Sequence, residues 1–520
     1  MITGDSRNNM LKVLQKIPVC LLAMFLTFVL TASLMVRAEY CAYRYSDNPV
    51  WARQDFFTVL FIVNLVFLYF LVLQSLNRRL SLFDRDQVIY YVLFFSALIQ
   101  ISFILLFPAR QFADQDSVNR IAMQVIEGNF SQFRQKGYLY RFPNNVGITL
   151  FLSLLYRIYP APLLLPKLMN IVFSTATSYL TFRIYEESNN EEYEPSYLSL
   201  ILSSFFPPMI LLNNMVYNDI YSAALFAGAV YNAVMHVKTK RNIRIVYACL
   251  LIVAGNFLRQ MGVIFLLALT IYFILKKMKI RKALAFLGIG LILLQLPLFA
   301  VNTFLLSSGE ITEPLGKNSI PVYMWLNIGM NHRKIGYWDD SESYRVYTNE
   351  GQWDKEKSAE IYKSLIRENL RKNGIKGIAN TYVKKNIWLW TEGTYQAEYY
   401  GIGSWGYLYH TVATKVLEHN QLFRDLLRWF LHGSNLLLLF LTLFGLIYSI
   451  TGRREYPFLL PAIVFLGFIG FYTLWEIKPR YVFPVYPYLI VTSNYGFSIL
   501  YNKLLSLREK RIQKKILSSN

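Results

Sequence analysis

Long apolar segments separated by short polar ones are the feature that most constrains this chain. The segments 17–36, 56–76 and 88–107 contain no charged residue, and each has the length of about 20 residues that an α-helix needs to cross a bilayer. Over all 520 residues, 54% are hydrophobic and 16% are charged, with a mean hydropathy of +0.31. These values exclude a soluble or a disordered protein. The sequence therefore predicts an all-α polytopic membrane protein.

The positions of basic residues predict the topology, because Lys and Arg concentrate on the cytoplasmic side of membrane proteins. Basic clusters occur at 238–244, 276–282, 453–454 and 503–515. All four clusters lie on the same side of the membrane only if the short apolar segment 146–159 lies on the membrane surface or re-enters it. Further crossings are then predicted at 162–184, 196–213, 217–236, 245–258, 261–275, 283–305, 433–450, 457–475 and 481–500. This pattern predicts about 12 spans with both termini in the cytoplasm.

The polar segments divide the chain into five units. These are an amino-terminal pair of spans, a membrane module, an extracytoplasmic subdomain, carboxy-terminal spans and a basic cytoplasmic tail, at 1–87, 88–305, 306–430, 431–500 and 501–520. The membrane module contains a large outer loop at 109–145. In the subdomain, the apolar spacing along 354–373 predicts an amphipathic helix that ends at Gly374. Chemistry is expected in the two outer segments.

The basic character of the chain restricts its partners. It has 53 Lys and Arg against 32 Asp and Glu, a net charge of +21. In a membrane protein this excess can face anionic lipid or lipid-linked phosphate. The basic runs are short and border the spans, so nucleic-acid binding is not predicted. The sequence has no P-loop, no G-x-S-x-G motif and no metal-spaced Cys and His residues, which leaves charged residues at span ends as the candidates.

Two acids, Asp114 and Asp116, follow the third predicted span directly. A carboxylate at a membrane exit can act as a general base on an acceptor hydroxyl, and two carboxylates one residue apart can share a divalent cation. The structural alternative is that one of them caps the amphipathic helix that follows and ends near Gly128. The sequence leaves these roles open. No cofactor is certain, and a divalent metal remains an open alternative.

Asp219 and Arg259 lie at the predicted outer ends of later spans. A carboxylate at a membrane boundary is expensive to bury, so Asp219 is a candidate second acid, facing either the acceptor or a metal; a helix cap is its alternative role. Arg259 lies at the turn between two short spans. Its forked guanidinium can hold a phosphate, and snorkelling to the interface is the alternative explanation.

A further charged segment, Glu476-Ile477-Lys478-Pro479-Arg480-Tyr481, connects the last two predicted spans. Lys478 and Arg480 are candidates for neutralising a leaving phosphate. The alternative is an ion pair between Glu476 and Arg480.

The order of these motifs resembles a known superfamily of membrane enzymes. The two acids precede an A-M-Q-V-I-E-G-N-F segment at 122–130 and a Y-L-Y-R-F-P-N-N-V-G segment at 138–147. Further matches are Phe206-Pro207-Pro208 with the Asp219 region, the turn at Arg259 and the segment 476–481. Over residues 88–500 the chain resembles the GT-C superfamily. More narrowly, it is similar to bacterial polyprenyl-phosphate-dependent glycosyltransferases related to protein O-mannosyltransferases and the lipid A aminoarabinose transferase.

The resemblance implies a GT-C-like bundle that transfers a sugar, with inversion, from a polyprenyl-phosphate donor to an envelope glycan, polymer or protein. The enzyme would lie in the bacterial inner membrane with its active site outside. Asp114 or Asp116 would deprotonate the acceptor, and Arg259, Lys478 and Arg480 would bind the donor phosphate, with support from Glu476 and Tyr481. The extra amino-terminal spans and the second acid depart from the family pattern. A polysaccharide polymerase and a lipid-linked oligosaccharide flippase or other transporter are the alternatives.

Overall fold

The computed structural model describes residues 4–39, 49–160, 163–188, 196–417, 420–451 and 458–519. The chain is 78% helical with almost no sheet, which confirms the predicted all-α class. The basic pair predicted to be cytoplasmic, Arg453 and Arg454, lies outside the described residues.

The first half of the chain contains a short antiparallel strand pair, β1 (Val36–Glu39) and β2 (Val50–Arg53), in which Val36 pairs with Arg53. Its helices are α1 (Gly4–Ser33), α2 (Phe56–Leu80), α3 (Arg85–Leu106), α4 (Ala113–Ile126), α5 (Tyr138–Arg141), α6 (Val146–Ile158), α7 (Leu164–Ser188), α8 (Leu198–Ser204), α9 (Pro207–Leu212), α10 (Asp219–Thr239) and α11 (Ile243–Leu258).

The second half contains α12 (Gly262–Leu275), α13 (Ile280–Ser307), α14 (Tyr323–Met330), α15 (Lys355–Thr391), α16 (Ala397–Gly401), α17 (Val412–Leu417), α18 (Gln421–Thr451), α19 (Leu459–Leu474) and α20 (Tyr486–Ser519). Single turns of 3₁₀-helix occur at Ser131–Phe133 and Pro143–Asn145, a longer 3₁₀ segment at Pro479–Val485 and a π-helical turn at Val346–Glu350.

Six helices in the described part of the chain are long and apolar enough to cross a membrane: α1, from Met10, and α2, α3, α10, α13 and α18. In the most apolar stretch of α13, only 17% of the residues are buried, so most of its side chains are available to lipid. Shorter apolar helices, including α11, α12 and α19, lie where further spans were predicted. The structure thus agrees with a helical membrane protein, and the count of about 12 spans is not confirmed.

The predicted single span at 196–213 is wrong in detail, because the structure has two short helices there, α8 and α9. Phe206 separates them in an extended conformation (φ −67°, ψ 111°), and Pro207 opens α9. A residue before proline avoids the helical region, and proline lacks the N–H that would continue the ladder of the preceding helix. The consecutive prolines 207 and 208 therefore break this segment.

The last predicted span also differs from the structure. It was expected at 481–500, followed by a separate tail. Instead, the 3₁₀ segment Pro479–Val485 leads into α20, which continues as one helix to Ser519. The predicted boundary at 501 is therefore not a break in secondary structure.

The predicted helix at 354–373 corresponds to the first part of α15. Asp354 caps it by accepting a hydrogen bond of 2.7 Å from the backbone N–H of Lys357. The helix breaks at Gly374, whose backbone (φ 57°, ψ −176°) is one that only glycine adopts readily. The predicted start and stop signals are confirmed, and a second helical segment continues to Thr391.

One large apolar core joins the two ends of the chain. Helix α1 packs on α18 and α19, and α2 packs on α18, while α10 lies between α7 and α11. The buried cluster extends from Val19 to Phe497. A second, smaller core forms within 306–430 around Ile320, Met324, Tyr347 and Tyr362. The amino-terminal pair of helices therefore shares its core with the carboxy-terminal helices.

Candidate functional site

A cavity of about 820 Å³ lies where the start of α4, the ends of α10 and α11, the segment 319–355 and the segment 471–481 meet. This volume is within the range of about 300–1,000 Å³ that small-molecule sites occupy. Its charged lining residues are Asp114, Arg141, Arg259, Asp340, Lys355, Glu476, Lys478 and Arg480. The structure thus brings together most of the residues singled out in the sequence, and Tyr481 also lines this cavity.

Asp114 lies in the first turn of α4 and is exposed to the cavity. Its Oδ1 accepts a hydrogen bond of 2.8 Å from the Tyr138 hydroxyl. The helix begins after Phe112, which makes no side-chain cap, and Asp114 is hydrogen-bonded to a tyrosine instead of capping backbone N–H groups. Ala113 directly before it has a left-handed backbone (φ 52°), a strained conformation that concentrates at functional sites.

A buried hydrogen-bond chain supports Asp114 from behind. Tyr138 accepts a bond of 2.7 Å from the Asn145 amide, whose oxygen accepts one of 2.8 Å from the Tyr217 hydroxyl. Burial, reinforced by the Asp114 carboxylate, raises the pKa of Tyr138 well above its ordinary value. The Tyr138 hydroxyl therefore stays protonated and serves Asp114 as a fixed donor.

Asp116 is directed away from this cavity. Its Oδ2 accepts a bond of 2.7 Å from Arg120 one turn later, and both side chains are exposed. The two acids therefore do not meet at one point. Within the described ranges, no group of three Asp, Glu, His or Cys side chains is arranged to hold a metal ion.

Asp219 lies behind the cavity, fully buried between two arginines. Its Oδ1 pairs with Arg259 Nη1, and its Oδ2 accepts a bond of 2.9 Å from Arg480 Nη1. The side chains of these arginines are only 9% and 4% exposed. Asp219 therefore orients the two guanidinium groups. It makes no helix cap, and it does not line the cavity, where a second acid facing the acceptor or a metal was predicted.

Among the described residues, the arginine pair carries one more positive charge than its carboxylate partner Asp219 neutralises. Rings enclose it, since Arg480 stacks within 5.6 Å of Tyr217, Tyr400 and Tyr481, and Arg259 lies 5.5 Å from the Tyr481 ring. In the described part of the chain, Nε of Arg480 has no hydrogen-bond partner. Buried donors are almost always satisfied, so an unpartnered guanidinium nitrogen and surplus positive charge are the unusual features at this end of the cavity.

The segment that carries Arg480 contributes three further groups to the cavity. Glu476 is buried and accepts a bond of 3.2 Å from the Tyr481 hydroxyl, and Arg480 pairs with Asp219. Lys478 is half-buried and lines the same wall. This wall thus carries a third cation next to the arginine pair, together with the carboxylate of Glu476.

Close backbone packing places Arg259 at the end of α11. A Cβ on Gly147 of α6 would lie 1.8 Å from the carbonyl oxygen of Phe257. Only glycine permits this approach of α6 to α11. The two helices therefore cross just before the turn that carries Arg259.

Lys385 of α15 anchors the start of the same segment, 471–481. Its buried ammonium donates to the carbonyl oxygens of Gly329 at 2.7 Å, Trp475 at 2.6 Å and Thr473 at 3.2 Å. These bonds tie the ends of α14 and α19 together. The rings of Trp325 and Trp475, stacked at 5.9 Å, line the cavity beside this tie.

Replacing Lys385 with Met should lower the apparent melting temperature of the purified protein by several degrees. The change leaves three buried carbonyl groups without a donor, each at a cost of about 1–3 kcal/mol. Lys384→Met is the matched control, because Lys384 is the half-buried neighbour and contacts the Trp51 ring at 5.5 Å. Equal melting temperatures for the two variants would contradict the anchoring role.

Sequence reasoning missed part of the lining. Tyr138 and Asn145 belong to the motif at 138–147, and Tyr217 lies two positions before Asp219, but no local pattern predicts that they support Asp114. The aromatic side chains of Trp325, Trp338 and Tyr344 come from a segment without periodic spacing, and no sequence pattern places them.

No family model matches this chain, and a search of curated proteins finds no similar one. The functional assignment therefore depends on the geometry of the cavity.

Proposed function

We propose that this protein is a membrane glycosyltransferase that transfers a sugar from a polyprenyl-phosphate donor to a hydroxyl of an envelope glycan, polymer or protein. The observation that carries the proposal is the arrangement of Arg259 and Arg480 on one buried carboxylate, in the wall of a cavity that also exposes Asp114. A phosphate site and a base in one cavity are the two elements that such a transfer needs.

The arginine pair is the proposed phosphate site. Guanidinium groups match phosphate oxygens with two parallel hydrogen bonds and keep their charge at every physiological pH. Asp219 compensates only part of the charge, so a bound phosphate completes the neutralisation. Lys478 adds a further cation along the same wall. These groups are in place before the reaction, which is how charge that develops on a leaving group is stabilised most effectively.

Asp114 is the proposed general base. It removes the proton of the acceptor hydroxyl while that oxygen attacks the anomeric carbon from the side opposite the phosphate. The carbon–oxygen bond to the phosphate breaks, its electron pair stays on the phosphate, and the proton remains on Asp114. The product has the inverted configuration, and polyprenyl phosphate leaves beside Arg259 and Arg480.

The surroundings of the cavity suit such a donor. Aromatic side chains, among them Trp325, Tyr400 and Trp475, give the sugar apolar faces beside polar edges. The exposed apolar surface of α13 indicates that the protein lies in lipid, where the polyprenyl tail also belongs. We further propose, from the positions of the basic clusters, that the cavity faces the outer side of the bacterial inner membrane.

A transporter is less well supported, because the charges that line this cavity lie mainly in turns and at helix ends. Transporters commonly bind their substrates near the middle of the membrane at interrupted helices. A polysaccharide polymerase would use similar groups and differs in its lipid diphosphate substrate.

Retention of lipids by the purified protein tests the proposed phosphate site. In native mass spectrometry, we expect the protein to retain polyprenyl phosphate and to lose the corresponding polyprenol, which has the same tail without the phosphate. Equal retention of both lipids would mean that the tail alone is recognised. Preference for polyprenyl diphosphate over the monophosphate would favour the polymerase or the flippase.

A further inference from the structure

A second, smaller cavity of about 180 Å³ adjoins the main one and shares with it Ser117, Tyr138 and Arg141. Arg120, Gln124 and Gln132 belong to the smaller cavity alone. We call it the side pocket. It begins at the side chain that supports Asp114, since Tyr138 donates to that carboxylate. A molecule that presents a hydroxyl to Asp114 can therefore extend into it.

One face of α4 connects the two cavities. Asp114, Ser117 and Gln124 are separated by three and seven positions, so they lie on the same side of the helix. Asp114 and Gln124 are about 15 Å apart along the axis at 1.5 Å per residue. A short run of linked sugars can cover this distance. The helix that carries the proposed base thus also guides an extended acceptor.

The lining of the side pocket is polar and cationic. Among the described residues it contains two arginines and no carboxylate, and Ile121 is its one aliphatic member. Arg120 is paired with Asp116. Arg141 has no carboxylate within 4 Å in the described part of the chain and instead lies 5.7 Å from the Tyr344 ring. One positive charge therefore remains for a ligand.

Two buried polar atoms of these side chains lack hydrogen-bond partners in the described ranges, Nε of Arg141 and Oε1 of Gln124. A donor and an acceptor without partners in the lining of one small polar cavity are unusual. A ligand with both an anionic group and hydroxyl groups complements the side chains that carry them. The neighbouring Ser117 and Gln132 add groups that suit hydroxyls.

We propose that the side pocket is an acceptor subsite for an acidic sugar. It holds the carboxylate or phosphate of a glycan unit further along the acceptor than the one whose hydroxyl faces Asp114, with the anion at Arg141 and hydroxyls at Gln124. This inference rests on the proposed function and narrows its acceptor to an acidic glycan. The test must distinguish an acidic glycan from a neutral glycan and from a protein acceptor.

Saturation-transfer NMR on the purified protein tests this with three small probes: glucuronic acid, glucose 6-phosphate and glucose. We expect one of the two acids to bind at least about tenfold more tightly than glucose, because a charge-assisted hydrogen bond is gained. The acid that binds more tightly shows whether the acceptor carries a carboxylate or a phosphate. Binding should fall by a similar factor in Gln124→Leu and Arg141→Gln, and it should persist in Arg134→Gln, whose side chain pairs with Glu310 outside both cavities.

Two controls separate this proposal from the proposed function. The part of the acid signal that Gln124→Leu removes should remain in Arg480→Lys, since Arg480 lines the main cavity and Gln124 lines the side pocket. An acid signal that Arg480→Lys removes and Gln124→Leu leaves intact would place the acid at the donor phosphate site and overturn the subsite. An equal signal from glucose, or no signal from either acid, would also overturn it. Retention of polyprenyl phosphate by Gln124→Leu would show that the donor site is intact, so failure of the subsite leaves the proposed function standing.

Discussion

Replacing Asp114 with asparagine should lower the rate of sugar transfer by about 10²- to 10⁴-fold, the contribution of a general base. Asparagine has nearly the same shape, and its carbonyl oxygen can still accept the hydrogen bond from Tyr138. The variant loses only the ability to take the acceptor proton, so the level of folded protein and the retention of polyprenyl phosphate should not change. The measurement is the release of polyprenyl phosphate per enzyme under saturating acceptor.

Asp116→Asn is the matched control for this prediction. Asp116 is two positions away on the same helix, and its side chain pairs with Arg120 on the exposed surface. Its replacement should leave transfer within about twofold of wild type, because exposed ion pairs contribute little. Full activity in Asp114→Asn, or equal losses in both variants, would remove Asp114 as the base.

The second large effect is expected at the arginine pair. Arg480→Ala should nearly eliminate transfer, since it removes a phosphate ligand and leaves the buried Asp219 with one partner fewer. Breaking a buried ion pair costs about 3–5 kcal/mol, so the alanine variant can also lose folded protein. Arg480→Lys separates the loss of phosphate binding from the loss of folded protein, because lysine keeps the positive charge and lacks the forked guanidinium geometry. It should fold and should turn over more slowly than wild type.

Arg134→Ala provides the control for a general loss of positive charge. Arg134 is exposed and pairs with Glu310 at 2.9 Å, and it does not line the main cavity. Its removal should leave transfer unchanged. Wild-type transfer and wild-type retention of polyprenyl phosphate in Arg480→Lys and in the corresponding Arg259→Lys would contradict the assignment of the pair as a phosphate site.

The helical architecture could be predicted because the apolar length of a span and the prolines that break a helix are local features of the sequence. A bilayer demands an apolar length, and every predicted span coincides with helical structure, although the one at 481–500 begins in the 3₁₀ segment Pro479–Val485. The span at 196–213 is divided into two short helices. That exception was also present in the sequence, as the consecutive prolines 207 and 208. The continuous helix α20 could not be predicted in the same way, because its polar half lacks an apolar pattern.

The candidate site could be predicted only in part. Placing Asp114, Arg259 and Arg480 at span ends predicted that they would meet, and all three line one cavity. The spacing of Asp114 and Asp116 does not decide which of them is the base. Two residues that are two positions apart on a helix point about 200° away from each other. One of them had to face away, and only the packing of α4 determines which.

The role of Asp219 was beyond the reach of the sequence. Its partners lie 40 and 261 positions away along the chain, and nothing local distinguishes an acid that orients two arginines from one that caps a helix. The same reason explains why the lining side chains contributed by 306–430 could not be predicted. Contacts between distant segments depend on how the helices pack, and no local pattern records them.

Mass spectrometry of cell-envelope glycans and lipids tests the central claim most directly. Cells that lack this protein, and cells that produce only Asp114→Asn, should miss the same sugar from an envelope glycan or protein and should accumulate that sugar on polyprenyl phosphate. Cells that produce Asp116→Asn should match wild type in both. An unchanged set of glycans without the protein, or accumulation of a lipid-diphosphate oligosaccharide in place of the monophosphate sugar, would contradict the proposed transfer.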